Sequence, residues 1–233
     1  MSFDGRTLGK GAMTGHVDRR SAALPAVTKA DVREAALTLF AERGYHGTSL
    51  RDVANALGLR TPSLYAHIDS KQSLLAEIVA ETLDQVVSEF DEVLARTSDP
   101  VEQVWEATRV YALHHATHRR EALVVNQDTV HLDEPTLTAA QQLRRRHEHS
   151  FRQLIIDGTG LGVFTVAAPK LASFAIMEMC VSIARWFRED GDIGADEVAR
   201  QYAGYALDIA GASRESRPAA AVPALGAPAR THD

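Results

Sequence analysis

Apolar residues recur every three or four positions along most of the chain, which is the spacing of one face of an α-helix. In the first such segment, from about residue 28 to 43, Val32, Ala36, Leu39 and Phe40 form one stripe. No segment shows a clear strand-like alternation of apolar and polar residues, and no internal repeat is evident. The pattern therefore predicts an all-α protein.

Turn and cap residues divide residues 27–71 into three short helices. Gly44 follows the last apolar position of the first helix, where glycine can end a helix at low cost. Ser49 and Asp52 have the spacing of a capping box, which predicts the start of a second helix. That helix should stop at Gly58.

A third helix is predicted to begin with Thr61 as its N-cap and Pro62 as its first residue, and to end near residue 67. Two short helices joined by the tight turn at residues 57–60 have the geometry of a helix-turn-helix. In that motif the second helix of the pair enters the major groove of DNA. Its exposed N-terminal end carries Arg60, Thr61, Pro62 and Ser63.

The remaining periodic segments predict a larger helical domain. Ser70 caps the first of its helices, which runs to about residue 94. Further helices are expected at roughly 101–118, 121–131, 135–157, 168–188 and 195–210. The predicted division is a flexible arm (1–26), a helix-turn-helix domain (27–71), a helical effector-binding and dimerisation domain (72–210) and a disordered tail (211–233).

The net charge of −6 is unevenly distributed along the chain. Residues 27–71 hold six basic and five acidic side chains, whereas residues 72–210 hold 12 basic and 22 acidic ones. The acidic surplus therefore lies away from the predicted DNA-binding face. An acidic body would repel phosphates and orient the protein as it approaches DNA.

The single cysteine, Cys180, cannot form an internal disulfide, which favours a reducing compartment. No apolar run reaches the roughly 18 residues of a membrane span. The N-terminus also lacks the apolar core of a secretory signal. We therefore expect a cytoplasmic, nucleoid-associated protein without membrane contact.

Three stretches, Thr48–Ala54, Leu57–Leu59 and Ser63–Lys71, resemble the N-terminal DNA-binding domain of TetR-family transcriptional regulators. The order Leu-Tyr-x-His-x-x-Ser-Lys in the last stretch makes the resemblance specific. One departure is Ile68, where the family usually has phenylalanine. The resemblance covers about 45 residues, and the helix pattern of the rest of the chain fits the same family.

The resemblance implies that the chain binds double-stranded operator DNA through two groups of residues. The implied phosphate contacts come from Thr48, Tyr65, His67 and Lys71. The implied base contacts come from Arg60, Thr61, Pro62 and Ser63. Phosphate contacts position a protein on DNA, whereas base contacts specify the sequence.

The last two predicted helices are the candidates for a homodimer interface. The helix at 168–187 is apolar almost all round, so it must be covered on both sides. The final helix carries one stripe of large residues (Val198, Tyr202, Tyr205, Ile209) and one of small residues (Ala199, Ala203, Ala206, Ala210). TetR-family proteins similarly dimerise through their last two helices. A dimer would present two recognition helices to a pseudo-palindrome.

The resemblance also implies a small-molecule effector inside the larger domain. We expect a lipophilic effector that releases a repressor from a palindromic operator, with an activator as the alternative. The candidate lining residues are Trp105, Val125, Gln127, Phe151, Phe174, Met177, Val181 and Arg185. Asn126, Gln127 and Arg185 are the most informative of the polar candidates, because a buried polar group needs a partner.

Residues 182–187, with Gln127 and Asp128, resemble a subgroup of actinobacterial regulators that includes CoA-thioester sensors of sterol and fatty-acid breakdown. Only Arg185 matches the positions that clamp CoA there. Met177 and Val181 stand where arginine and tryptophan are expected. An acyl-CoA and another kind of lipophilic effector therefore both stay open.

Ten histidines raise the alternative of an enzyme or metal protein. His114 and His118 are four apart with His115 adjacent, and His147 and His149 flank an acidic residue, but no set has the spacing of a full zinc site. No zinc-protease, Walker, dinucleotide or nucleophile-elbow motif is present. We interpret these histidines and the three arginines at 144–146 as solvated surface, with attraction of an anionic ligand as the alternative for the arginines. We expect no catalysis, metal or cofactor. A second alternative is an interaction protein with a vestigial DNA-binding face.

Overall fold

The computed structural model describes residues 27–219, and its regular elements in that range are α-helices and short 3-10 helices. The α-helices are α1 (Lys29–Arg43), α2 (Leu50–Ala56), α3 (Thr61–Leu64), α4 (Lys71–Arg96), α5 (Pro100–Thr117), α6 (Arg119–Asp128), α7 (Thr136–Gly160), α8 (Pro169–Trp186) and α9 (Ala195–Ala210). A 3-10 helix, Thr129–His131, follows α6. The all-helical prediction is confirmed.

Two predicted features fall at the limits of this range. The expected arm at residues 1–26 lies outside the described residues, as do residues 220–233 of the expected tail. Between residues 27 and 219, no helix is long and apolar enough to cross a membrane.

Local sequence sets the bounds of the short helices. Ser49 and Asp52 form the predicted capping box of α2, with each residue bonding the other's backbone N–H. Gly58, between α2 and α3, has a φ of 66°, a left-handed conformation that glycine adopts without strain. Thr61 is not the cap that the sequence suggested. It is the first residue of α3, and Arg60 precedes it as the N-cap without a side-chain bond.

The three N-terminal helices do not have a core of their own. Phe40 of α1 and Leu64 of α3 belong to a cluster that continues through α4 and includes Val124 and Val125 of α6 and Ala140 of α7. The predicted domain boundary near residue 71 thus runs through one continuous apolar core. A displacement of α6 would therefore change the packing around α1.

The stripe of small residues on α9 packs inside the protomer. Ala199, Ala203, Ala206 and Ala210 are all completely buried, and they cluster with residues of α5 such as Ala112. Small side chains let two helix axes approach closely. The sequence prediction gave this stripe to the dimer, whereas the structure uses it for contact between α5 and α9.

The expected tail does not begin at residue 211. Gly211 ends α9 with a φ of 72°, and Ala212 is buried. Arg217 donates hydrogen bonds to the Asp208 carboxylate at 2.7 Å and to the Ala212 carbonyl at 3.0 Å. These contacts hold residues 211–217 against the end of α9, so this segment is part of the helical domain.

Two glycines near the end of α7 provide a test of this packing. A Cβ at Gly158 would overlap the buried Phe164 ring, whereas a Cβ at Gly160 would meet no atom within 4 Å. We expect Gly158→Ala to destabilise the fold by about 1–3 kcal/mol because the core is overpacked. Gly160→Ala should change stability by less than about 1 kcal/mol. Urea unfolding at one protein concentration measures both, and equal midpoints would contradict the packing.

Candidate DNA interface and effector cavity

The turn after α2, with α3 and the residues after it, presents a polar surface. Six of the eight predicted DNA contacts lie together here and reach solvent: Arg60, Thr61, Pro62, Ser63, Tyr65 and His67. Tyr65 is 58% exposed, which is unusual for a large aromatic side chain. Leu64 and Ile68 of the same segment are buried, so they fix the orientation of this surface. Because these six residues are the predicted DNA contacts that reach solvent, we call them the DNA-facing surface.

Thr48 has a different role from the phosphate contact that the resemblance implies. Its side chain is only 2% exposed. The hydroxyl lies 3.1 Å from both the Leu39 and the Gly44 carbonyl oxygens, to which it donates. In this geometry the hydroxyl holds the connection between α1 and α2 and does not face DNA.

The ammonium group of Lys71 is also hydrogen-bonded within the protein. Its Nζ donates to the carbonyl oxygens of Tyr45 and Thr48, both at 2.9 Å, and lies 4.0 Å from the centre of the Tyr45 ring. Burial lowers the pKa of Lys71. The ammonium group therefore anchors the α1–α2 connection to the start of α4, which makes Lys71 a positioning residue.

A second set of contacts ties this connection to the end of α6. Asp128 is 4% exposed, and its Oδ1 accepts a hydrogen bond from the Tyr45 backbone N–H at 3.2 Å. Burial raises the pKa of Asp128. The Tyr45 hydroxyl donates to Gln72 Oε1 at 3.0 Å, and Gln72 Nε2 donates to the His131 carbonyl at 2.8 Å. We call Tyr45, Lys71, Gln72, Asp128 and His131 the interdomain junction.

Two further contacts lie beside this junction. His46 Nε2 and His131 Nδ1 are 3.2 Å apart. Arg120 of α6 donates to Glu34 Oε1 at 2.6 Å and to Thr38 Oγ1 at 2.8 Å, both on α1. Helix α6 thus contacts the DNA-binding helices at both of its ends.

A cavity of about 230 Å³ lies in the larger domain between α4, α5, α6, α7 and α8. Four of the eight predicted lining residues, Val125, Phe174, Met177 and Val181, line it. The other four do not. Trp105 and Phe151 pack in the apolar core of the domain, and Gln127 and Arg185 are exposed. The position that resembles a CoA clamp is therefore outside the cavity.

Three histidines of the cavity wall are buried, which corrects the prediction of solvated surface. His114, His115 and His147 are 3%, 4% and 6% exposed. Burial lowers the pKa of both His115 and His147 to about 4, so both rings are neutral at pH 7. His115 Nδ1 lies 2.8 Å from the Tyr111 carbonyl, which can only accept, so Nδ1 carries the proton.

Helical periodicity could have identified two of these histidines. His115 continues the buried stripe of α5 that contains Thr108 and Ala112, and His147 continues the stripe of α7 that contains Ala140 and Phe151. Among the described residues, no group of three or more histidine, cysteine or acidic side chains could hold a metal ion. The buried histidines line the cavity, so they are candidates for contacting a ligand there.

Arg144 of α7 also lines the cavity and is not the solvated side chain that the sequence suggested. Its Nη2 donates to the Val125 carbonyl at 2.5 Å and to Asn126 Oδ1 at 3.3 Å. Its Nε is buried, and no described residue accepts from it. Arg144 thus connects the wall of the cavity to the last turn of α6.

Helices α8 and α9 leave an apolar surface open. Only one side of α8 is buried within the protomer, at residues such as Ile176, Cys180 and Ile183. Trp186, Tyr202 and Tyr205 form a continuous aromatic patch, with ring centroids 6.2 Å and 5.9 Å apart. Trp186 is 45% exposed and Tyr205 49%. We call these three residues the aromatic patch.

Family models match most of the described chain. Residues 32–78 match the model described as bacterial regulatory proteins, tetR family. Residues 97–210 match the model described as tetracyclin repressor-like, C-terminal domain. The first match covers the DNA-facing surface, and the second covers the cavity helices α5 to α8.

Similar proteins include the HTH-type transcriptional repressor KstR2 of Rhodococcus jostii strain RHA1. It is 32% identical over 185 residues, which are 77% of this chain and 89% of that protein. The structure of the ketosteroid transcriptional regulator KstR2 of Mycobacterium tuberculosis aligns with a TM-score of 0.74 and 22% identity, over 77% of this chain and 93% of the other. AibR in complex with isovaleryl coenzyme A and operator DNA gives a TM-score of 0.70 and 21% identity, over 79% and 99%.

The interdomain junction can be tested with two aspartates of the α6–α7 region. We expect Asp128→Ala to speed hydrogen exchange at the Tyr45 amide, because that N–H loses its buried acceptor. Asp133 is an exposed acid five residues further on, so Asp133→Ala should leave the exchange rate unchanged. Equal protection of the Tyr45 amide in both variants would show that Asp128 does not hold the connection.

Proposed function

The chain belongs to the TetR family of DNA-binding transcriptional regulators, and from this premise we propose that it is a homodimeric repressor released from its operator by a small molecule. The observation that carries the proposal is the DNA-facing surface, six polar or exposed residues around α3 in a domain of helix-turn-helix geometry. The relative KstR2 is itself described as a repressor.

In this proposal the DNA contacts divide into three groups. Tyr65 and His67 bind phosphate from the end of the recognition helix. Arg60, Thr61, Pro62 and Ser63 face the bases. Thr48 and Lys71 act indirectly by holding the α1–α2 connection in place. Because residues 27–71 carry only one net positive charge, a single copy would bind DNA weakly, and two copies are needed for useful affinity.

The second copy is proposed to pack on α8 and α9. Exposed aromatic side chains in a contiguous patch are typical of the centre of protein interfaces. The aromatic patch supports this placement, as does the open side of α8. Pairing across a twofold axis would hold two recognition helices at the separation of two operator half-sites.

The effector is proposed to bind in the cavity between α4 and α8. Val125 and Asn126 of α6 line the cavity, and Asp128 of the same helix belongs to the interdomain junction. A ligand that binds better when α6 is displaced would shift the protein away from its DNA-binding conformation. The cavity volume of about 230 Å³ is far too small for a whole acyl-CoA.

An acyl-CoA effector is the second candidate, favoured by the AibR structure that holds isovaleryl coenzyme A. In that case only the acyl group would enter the cavity, and the nucleotide part would lie outside. The description of KstR2 as a ketosteroid transcriptional regulator favours a lipophilic effector in either case.

The DNA contacts can be tested by removing one hydroxyl group. We expect Tyr65→Phe to weaken binding to DNA from upstream of the protein's own gene by about tenfold, through the loss of a phosphate hydrogen bond. Binding to unrelated DNA should weaken in proportion, because phosphate contacts carry no sequence information. Arg96→Gln is the control, since it removes an exposed positive charge at the end of the 26-residue helix α4 that lies away from α3. Mobility-shift titrations that show no loss for Tyr65→Phe would remove Tyr65 from the interface.

The dimer can be tested by placing a charge in the aromatic patch. We expect Tyr205→Glu to give a monomer in analytical ultracentrifugation at micromolar concentration, because an unpaired carboxylate in a dimer interface is strongly unfavourable. Val130→Glu changes an equally apolar side chain, 70% exposed, on the 3-10 helix that packs on α6 and α7, and should leave the mass unchanged. A dimeric Tyr205→Glu variant would contradict the proposed interface on α8 and α9. A monomeric wild-type protein would contradict dimerisation itself.

A further inference from the structure

Arg144 is a partly buried cation without an anionic partner. Among residues 27–219, no carboxylate oxygen lies within the 4.0 Å of an ion pair with its guanidinium group. Its hydrogen bonds go to a backbone carbonyl, that of Val125, and to the Asn126 amide oxygen. Its Nε is buried without an acceptor. Charged groups withdrawn from water are normally paired, so this arrangement indicates a missing anion.

The side chains beside Arg144 inside the cavity do not carry the negative charge that would pair with it. Burial lowers the pKa of His115 and His147 to about 4 and raises the pKa of Tyr111, so all three are neutral at pH 7. His114 is 3% exposed, and its Nδ1 lies 3.3 Å from Glu89 Oε2 on α4. Arg144 therefore gives the wall a cation beside the neutral Tyr111, His115 and His147, and a single anionic group can pair with it there.

We infer that the cavity binds a small monocarboxylic acid, whose carboxylate pairs with Arg144 and whose apolar body packs against Leu83, Val86 and Val181. This inference rests on the proposed function, because it names the chemical class of the effector for the same cavity. Arginine is suited to the role, since its planar N–H groups match the two oxygens of a carboxylate. The volume of about 230 Å³ limits the acid to a short chain or a small ring system.

Two acidic residues also line the cavity, and their positions fit a carboxylate ligand at Arg144. Glu148 lies 4.0 Å from Arg152, which offsets its charge. Glu178 is exposed on α8, where the wall meets solvent. Burial lowers the pKa of Arg144, and the negative charge of Glu178 partly offsets that shift from beyond ion-pair distance. The same charge opposes an anionic ligand, so its removal should strengthen binding.

The same residue explains how such a ligand would act. Arg144 holds the Val125 carbonyl, three residues before Asp128 of the interdomain junction. A carboxylate that competes for the guanidinium group weakens this hold on the last turn of α6. Ligand binding and release of the junction are thereby coupled through one side chain.

Octanoate and octanamide form a matched pair of probes, because they have the same size and differ in charge. Isothermal titration of the full chain should show octanoate binding about tenfold or more tightly than octanamide, a difference of about 1.4 kcal/mol. Arg144→Gln should remove this preference, and Glu178→Gln should increase it. Arg144→Lys keeps the positive charge and should retain a reduced preference, which separates loss of charge from misfolding.

Three results would overturn the inference. They are equal binding of octanoate and octanamide to the wild-type protein, a preference that survives in Arg144→Gln, and no binding of either probe up to about 10 mM. The proposed function is judged separately by mobility shift of the wild-type protein on the upstream DNA. If the protein binds this DNA but not octanoate, the proposed repressor function stands and the carboxylate effector is rejected.

Discussion

The buried carboxylate of Asp128 fixes where the DNA-binding helices sit on the rest of the molecule. Its Oδ1 accepts the Tyr45 N–H, while Lys71 donates to the Tyr45 and Thr48 carbonyls from the other side. Hydrogen bonds to charged groups contribute about 1.5–3 kcal/mol each. Three backbone atoms of the α1–α2 connection are thus held by two side chains of opposite charge. Helices α2 and α3 follow this connection, so the orientation of the DNA-facing surface depends on it.

Helix α6 carries this constraint to the cavity. Val125 belongs both to the cavity wall and to the apolar core shared with α1, so no flexible hinge separates the two regions within the described chain. Packed cores change by discrete rearrangement and transmit small displacements. A ligand that lowers the affinity for DNA by some factor must itself bind more weakly, by the same factor, when DNA is bound, because the coupling between two binding sites is reciprocal.

The helices and the DNA-facing surface were predictable from sequence because they depend on local rules. Caps such as Ser49 and Ser70, the glycine at residue 58 and the apolar periodicity act within a few residues. The roles of Thr48 and Lys71 were not predictable in this way. Lys71 contacts a carbonyl 26 residues away, and Asp128 binds an amide 83 residues away.

The cavity was predicted only in part, for a related reason. Phe174 lines it, whereas Trp105 and Phe151 pack in the core, although all three are large aromatic residues on helix faces. Periodicity shows which side of a helix is buried but not whether a neighbour fills the space beside it. For the same reason the buried stripes around His115 and His147 could indicate burial but not a cavity.

Control of the DNA-binding helices by the cavity can be measured most directly as a distance. Cys180 is completely buried, so a spin label attached to Glu42→Cys on α1 reports on one exposed position in each protomer. Met177→Trp would fill part of the cavity without any ligand. Pulsed electron resonance on the dimer should then show a changed mean distance between the two labels, with weaker binding to the upstream DNA. A distance distribution identical to that of the unfilled protein would contradict control of the DNA-binding helices by the cavity.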